Sequence, residues 1–598
     1  MTTIDWIIIA IFFAILLAIP VLTARKGSSS TKEFFLSGRS MPWWLIGISV
    51  MAASTSTDSA NLFTEIIRKD GMSGNWAWWA FMLTGLLTVF VYAKLWHRSG
   101  VTTDVEFYEL RYSGKPAAFL RALRAVYLGF VFNLLIMGAV ILGGVKIGVI
   151  LFGVSPTTIY LVTAVAGIVY AAFGGVRGVI YTDFYLFTII MVGAVAAAFY
   201  ALGRPEVGGM AAMVAKLEAR GTLDFFPKFS DMDTLMAAFV MPLAMHWWTV
   251  CKSGAEPGGG SYVVQRILTA KNENHALGGM LFFNLAHHAF RPFPWYIVGL
   301  CSILVFPQLA DIQKAFPHVD PAYVRGDMAY PAMLTFVPPG WYGVVAASMA
   351  GALLSTVAAL LSIYSTYLVN DIYGRFMRPK ASGRELIWAT RGASVLLMVA
   401  SCLIAPFLES AKTAFDLMLL IGAGTGPIFL LRWFWMRINA WSEIAGLVTG
   451  LVAAVFLHLV WPHLFGVPLQ PWVKILWGTI ATTVAWIAVT LLTKPEPAAV
   501  LEKFRLTVRA DGRDVGKGLV MMTLAAFACF GAMYATGAWC YGWYLKATVV
   551  TLLSTLAGVA VYLLFHSRQS RYFAFGPLSK ASPDPKQESR RDSRMPTP

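Results

Sequence analysis

Residues 52–61 read AASTSTDSAN, from Ala52 to Asn61, in the middle of an otherwise apolar run over 42–66. A second interruption, TVCKSGAEPGGGS from Thr249 to Ser261, cuts the run 233–268. Backbone groups freed by such breaks need partners, so they are tolerated at membrane depth only against protein or around a cavity. Hydroxyl residues and glycines also pack helices closely, which is the alternative reading of either segment taken alone. Asp58 and Glu65 weigh against it, because carboxylates inside a membrane are costly and tend to be functional.

Working outward, the chain has 598 residues, 58% of them apolar and 13% charged. Soluble domains carry about 25% charged residues, so both an ordinary soluble protein and a disordered one are excluded. Fifteen apolar runs are long enough to be membrane helices. One group of five is 42–66, 72–97, 121–151, 156–173 and 179–202, and a second is 233–268, 276–305, 341–370, 386–408 and 412–434. The two breaks fall in the first helix of each group. Paired interruptions in two odd-numbered units point to an inverted-repeat transporter with its site near the bilayer centre.

This reading divides the chain into an extra N-terminal helix and loop (1–41), a first repeat (42–202), a loop (203–232), a second repeat (233–434), four more helices (435–566) and a disordered tail (567–598). The extra helices are 4–23, 441–460, 472–492, 517–538 and 545–566. Asp5 in place of a basic leader argues for a permanent first span over a cleaved signal. Lys and Arg concentrate in one set of alternate loops, from 24–40 through the tail. That set is expected in the cytoplasm, with residue 1 outside, in a cell (inner or plasma) membrane. The net charge of +16 is thereby explained by topology, without nucleic acid. Cys251, Cys301, Cys402, Cys529 and Cys540 have no CxxC spacing and suggest neither a disulfide framework nor a zinc site.

In the run 341–370, Ala352, Ser355 and Thr356 stand at i, i+3 and i+4 and share one helix face. Their two hydroxyls and one carbonyl, with carbonyls freed around Ala52 and Thr55, would make a set of neutral oxygens suited to a hard cation such as sodium. Taken alone, such hydroxyls more often bond back to their own helix.

Four stretches resemble the sodium:solute symporter family: FFLSGRSMPWWLIG (Phe34 to Gly47), FGGVRGVIYTD (Phe173 to Asp183), YVVQRILTAK (Tyr262 to Lys271), and Ala352 to Tyr373 ending in NDIY. The resemblance implies an all-α, polytopic, LeuT-type bundle of five plus five inverted helices with flanking helices, about 15 in all. It implies a sodium-coupled symporter for a small polar organic solute such as a sugar, amino acid or organic acid, functional as a monomer. It places the main sodium site on the carbonyls of Ala52, Thr55 and Ala352 and the hydroxyls of Ser355 and Thr356. It puts Asp183 on the inner sodium path, the alternative being a helix N-cap, and makes Tyr262 a gate under the solute, the alternative being packing. In relatives with a second sodium, hydroxyls stand three and four residues beyond the first serine of the pair; here those positions are Ala358 and Ala359.

The hexose pattern is not kept. The amide position expected in 412–434 falls on Leu419, and the stretch before Tyr262 is lengthened by Gly258, Gly259, Gly260 and Ser261. Candidate solute contacts are Asp58, Asn75, Lys252, Glu256, Ser261, Tyr262 and Asp416, with Lys146 and His246 also able to face the cavity. Lys252 and Glu256 at i, i+4 alternatively neutralise each other. His287, His288 and Arg291 read as packing or lining residues, and Trp76, Trp78 and Trp79 as an interfacial belt. An enzyme is not expected, since HExxH and GxSxG are missing from the sequence. The remaining alternative is a transporter-like sensor or channel without coupled uptake.

Overall fold

The break at 54–56 sets the architecture. The structure, a computed structural model, describes residues 1–27, 40–101, 104–172, 176–249, 258, 260–422, 424–509 and 512–569. After α1 (Thr3–Gly27), helix α2 (Trp43–Ala53) stops at Ser54, the chain turns extended at Ser56, and α3 (Thr57–Asp70) resumes. The other elements used below are α4 (Met72–Trp96), α5 (Gly114–Phe152), α6 (Pro156–Ala172), α7 (Val176–Leu202), α8 (Met232–Ala244) and α9 (Ser261–Thr269). They continue with α10 (Glu273–Val305), α11 (Trp341–Met377), α12 (Gly383–Phe407), α13 (Ala411–Gly422), α14 (Gly426–Leu431), α15 (Ala440–Phe465) and α16 (Pro471–Leu492). The last pair is α17 (Gly512–Cys540) and α18 (Tyr544–Gln569).

Among the described residues, nine helices are long and apolar enough to cross a membrane, or ten if one bent pair counts as a span. Shorter apolar helices include Thr3–Ile19, Trp43–Ala53, Pro156–Ile168 and Met232–Ala244. Burial sorts centre from rim: the apolar window of α5 is 94% buried, whereas that of the last helix is only 6% buried. The two halves of the broken helix use different neighbours. Helix α2 packs on α7 and the first half of α10, and α3 on α5, α13 and the second half of α10. Helices α7 and α11 approach closely because Gly193 leaves room for Ser348, and Gly351 for Phe12 and Leu186.

The second break lies mostly outside the described residues, as do Lys252, Glu256 and the tail beyond 569. On its near side α8 gives way to a turn at His246–Trp248, with Thr249 extended, and on its far side α9 begins at Ser261. A side chain on Gly426 would run into the carbonyl of Trp248, so the start of α14 lies directly against this turn.

Two expectations are corrected. Trp76, Trp78 and Trp79 form no belt: they are 7%, 4% and 0% exposed. The loop after α7 folds back over them, with Phe225 stacked on Trp79 at 5.4 Å and its carbonyl accepting from Trp76 Nε1 at 2.7 Å. Helix α5 begins at Gly114, ahead of the apolar run, because its first turns are amphipathic and lie on protein. The loop 203–232 contains a helix of its own, Met210–Glu218, anchored by buried Met213 and Leu217.

Candidate functional site

Helix α11 brings its hydroxyl face to the break in α2–α3. Thr356 Oγ1 donates to the carbonyl of Thr55 at 3.3 Å. Ala52 and Ala352 are both buried, as are Ser355 and Thr356. The carbonyl of Ala52 accepts from the Thr55 N–H at 2.9 Å, and the Thr55 hydroxyl turns back to Met51 O at 2.6 Å. The break therefore turns the Thr55 carbonyl toward α11, while the Ala52 carbonyl and the Thr55 hydroxyl bond within it. Ser355 Oγ, one position along α11, donates to Asp183 Oδ1 at 3.3 Å.

Asp183 is not an N-cap. It lies inside α7, is 2% exposed, and accepts from Ser49 Oγ at 2.6 Å. Arg266 of α9 pairs with the same carboxylate at 3.4 Å and donates to Ser49 Oγ at 3.2 Å. The network thus joins α2, α7, α9 and α11 beside the break, and a buried carboxylate has its charge matched by a guanidinium. Arg266 stands in YVVQRILTAK, but only the folded chain shows its partner 83 residues away.

Tyr262 lies in the first turn of α9 and its hydroxyl lies 2.8 Å from Ser54 Oγ, on the break. Asp58 begins α3 and accepts from Ser56 Oγ. A Cβ on Gly143 would sit 2.9 Å from the Asp58 nitrogen, so only glycine at that point of α5 lets the first turn of α3 approach so closely. The other solute candidates are placed elsewhere. Asn75 lies in the turn Met72–Asn75 beyond α3 and donates to Met72 O at 3.2 Å. Asp416 pairs with Lys412 on α13 at 2.9 Å. Ser261 begins α9. Lys146 is not a cavity residue: its ammonium is held by Asp327 at 2.6 and 2.7 Å and by Glu409 O at 3.1 Å.

Two residues that sequence reasoning did not rank as solute contacts adjoin the break. Asn61, one turn beyond Asp58, is fully buried with neither amide atom hydrogen-bonded. Arg291 of α10 donates to Ser54 O at 3.2 Å and Thr55 Oγ1 at 2.6 Å. Both carried a signal, a polar group in an apolar run, but its direction becomes clear only after folding.

A family model, "Sodium:solute symporter family", matches residues 34–450. The chain is 26% identical over 475 residues to the sodium/glucose cotransporter of Vibrio parahaemolyticus, covering 76% of this chain and 85% of that one. It is 26% identical over 498 residues to human sodium/myo-inositol cotransporter 2, covering 75% and 71%. Among solved structures, a substrate-bound, outward-open Na+-coupled sialic acid symporter superposes with a TM-score of 0.63 at 18% identity, over 83% of this chain and 99% of the other. With the family model spanning well over half of its length, the chain belongs to the sodium:solute symporter family.

Proposed function

We propose that this chain imports a small polar organic solute together with sodium by alternating access around the break at Ser54–Ser56. Family membership makes sodium the coupling ion. The observation that supports the placement best is the Thr356 hydroxyl on the freed Thr55 carbonyl. A sodium ion between α11 and the break would be held by the carbonyls of Ala52, Thr55 and Ala352 and the hydroxyls of Ser355 and Thr356. It would tie the two halves of the broken helix to α11. Asp183, sharing Ser355 with this set, would receive the ion on its inward path.

In this reading the helices form two inverted sets of five with flanking spans, fifteen in all, with residue 1 outside and the C-terminal end in the cytoplasm. The solute lies beside the break, near Asp58, with Tyr262 as its gate. Ser261 belongs to the same cavity; Asn75 and Asp416 line its outer approach. The protein works as a monomer in the cell membrane. At 100 mV, inside negative, one sodium contributes about 2.3 kcal/mol before its concentration gradient is added. Because coupling is reciprocal, solute must raise sodium affinity by the factor by which sodium raises solute affinity.

One sodium per solute is expected. Ala358 and Ala359 present no side-chain oxygen, and their carbonyls are engaged within α11. The test uses proteoliposomes and the solute that raises thermal stability most in sodium over choline. Labelled sodium and labelled solute should enter at equal initial rates. Two sodium ions per solute would contradict the single site, and solute entry indifferent to sodium would favour an uncoupled channel.

A further inference from the structure

The extra N-terminal helix α1 lies at the rim, yet one of its faces is buried. Asp5, Ile9, Phe12 and Leu16, at i, i+4, i+7 and i+11, are 1%, 8%, 4% and 1% exposed, while Trp6, Ile7 and Ile11 are 54%, 52% and 55% exposed. The helix packs on α7 and α11. A carboxylate in such a stripe needs hydrogen-bond partners, and Asp5 finds two of them at the start of α11. Oδ1 accepts from the N–H groups of Gly340 at 2.7 Å and Gly343 at 2.9 Å, and Oδ2 from the Thr2 N–H at 2.7 Å and the Thr2 hydroxyl at 2.8 Å. Helix α11 has no side-chain cap of its own, because its N-cap residue is Gly340. Asp5 supplies that cap from another helix, with its charge at the positive end of the α11 dipole. A Cβ on Gly343 would sit 2.7 Å from the Asp5 Cα, so glycine there lets the two helices meet.

The same stripe touches both helices beside the proposed sodium site. Phe12 lies against Gly351, the neighbour of Ala352, where a Cβ would come within 2.8 Å of its ring. The Phe12 ring stacks at 5.7 Å on Tyr185, two residues beyond Asp183, and the Tyr185 hydroxyl donates to the Phe12 carbonyl at 3.4 Å. One helix thus holds α11 at its first turn and again next to Ala352, and α7 next to Asp183. Between α11 and α7 runs the hydrogen bond from Ser355 to Asp183, at 3.3 Å. That is already long for two oxygens, and a slide of α11 by one residue, about 1.5 Å, is enough to break it.

We infer that α1 is part of the sodium machinery: Asp5 and Phe12 are positioning residues that fix where α11 stands along α7, and so set the strength of the sodium site. This rests on the symporter reading of that site and extends it to a helix outside the two sets of five. Neither residue supplies a ligand. Asp5 acts through the first turn of α11, and a helix carries an axial displacement along its length, from Gly340 to Thr356. Without the cap, α11 is free to take positions in which Ser355 and Thr356 no longer meet Asp183 and the break together. The apparent sodium affinity then falls in proportion to the share of the competent position.

The test is equilibrium binding of radioactive sodium to the purified chain, with Tm recorded for each variant. Asp5→Ala removes the cap and should weaken sodium binding roughly tenfold, which is within what a lost cap is worth when read as an equilibrium constant. Asp5→Asn keeps an oxygen for the two N–H groups of α11 and should recover most of the affinity. Ile11→Ala, on the exposed side of the same helix, should bind sodium as the wild type does. A merely structural role would lower Tm and leave the affinity of the folded protein unchanged. A folded Asp5→Ala protein with wild-type sodium affinity would therefore overturn the inference, as would an Ile11→Ala protein weakened as much as Asp5→Ala. If Asp5→Ala fails to fold, Phe12→Leu, which leaves the cap in place, decides alone: weaker sodium binding supports the positioning role and unchanged binding overturns it. A wild-type chain that binds no sodium would instead overturn the symporter reading beneath it.

Discussion

Ser355→Ala combined with Thr356→Ala is expected to abolish sodium-dependent uptake while leaving folded protein in the membrane. The double change removes two of five proposed oxygens, and neither alanine overfills the space its parent occupied. Both positions are buried, so water cannot easily replace the lost ligands. A contact between a hydroxyl and a charged partner contributes about 1.5–3 kcal/mol, and two give about 3–6 kcal/mol, a loss of more than 100-fold in sodium affinity. The measurement is uptake against sodium concentration, with surface expression as the control. Thr356→Ser, which keeps the oxygen, should retain most of the activity. Wild-type sodium dependence in the double variant would remove these two hydroxyls from the site.

The largest stability effect is expected at Lys146, one turn along α5 from Gly143. Its ammonium is 0% exposed and lies against both oxygens of Asp327, itself 1% exposed. Asp327 in turn accepts from the first backbone N–H of α13 at Ala411, and Glu65 of α3 accepts from that of Lys412 at 3.2 Å. One ion pair therefore joins α5, the loop before α11 and the start of α13. Lys146→Met leaves a carboxylate buried without its cation and should destabilise the protein by about 3–5 kcal/mol. Lys146→Met with Asp327→Leu should recover a large part of that loss, because no charge is then stranded. Thermal unfolding of the two single variants and the double variant measures the coupling. A Lys146→Met protein as stable as the wild type would show that the pair carries no such weight.

The first break was legible in the sequence because a polar run inside an apolar one has few physical readings. The hydroxyl face of α11 was legible too, since helical spacing alone puts Ala352, Ser355 and Thr356 together. What could not be read was partnership across the chain. Lys146 looked like a cavity residue because Asp327, 181 positions away, gives no local sign of being its partner. Arg266 was hidden in the same way behind Asp183. The tryptophans of α4 suggested a belt because their position near a helix end is shared by belts and by ends that a loop covers. Arg291 passed as a lining residue because the sequence does not reveal that its guanidinium reaches the carbonyl of Ser54, 237 positions away. Helix α5 began early because hydropathy marks what must lie in lipid, and its first turns lie on protein.

Sodium binding to the purified chain, measured directly with radioactive sodium, tests the central claim without needing to know the solute. Expected is one saturable site per chain that Ser355→Ala with Thr356→Ala eliminates. Saturable binding of the same strength in that double variant, or none at all in the wild type, would contradict a sodium site between α11 and the broken helix.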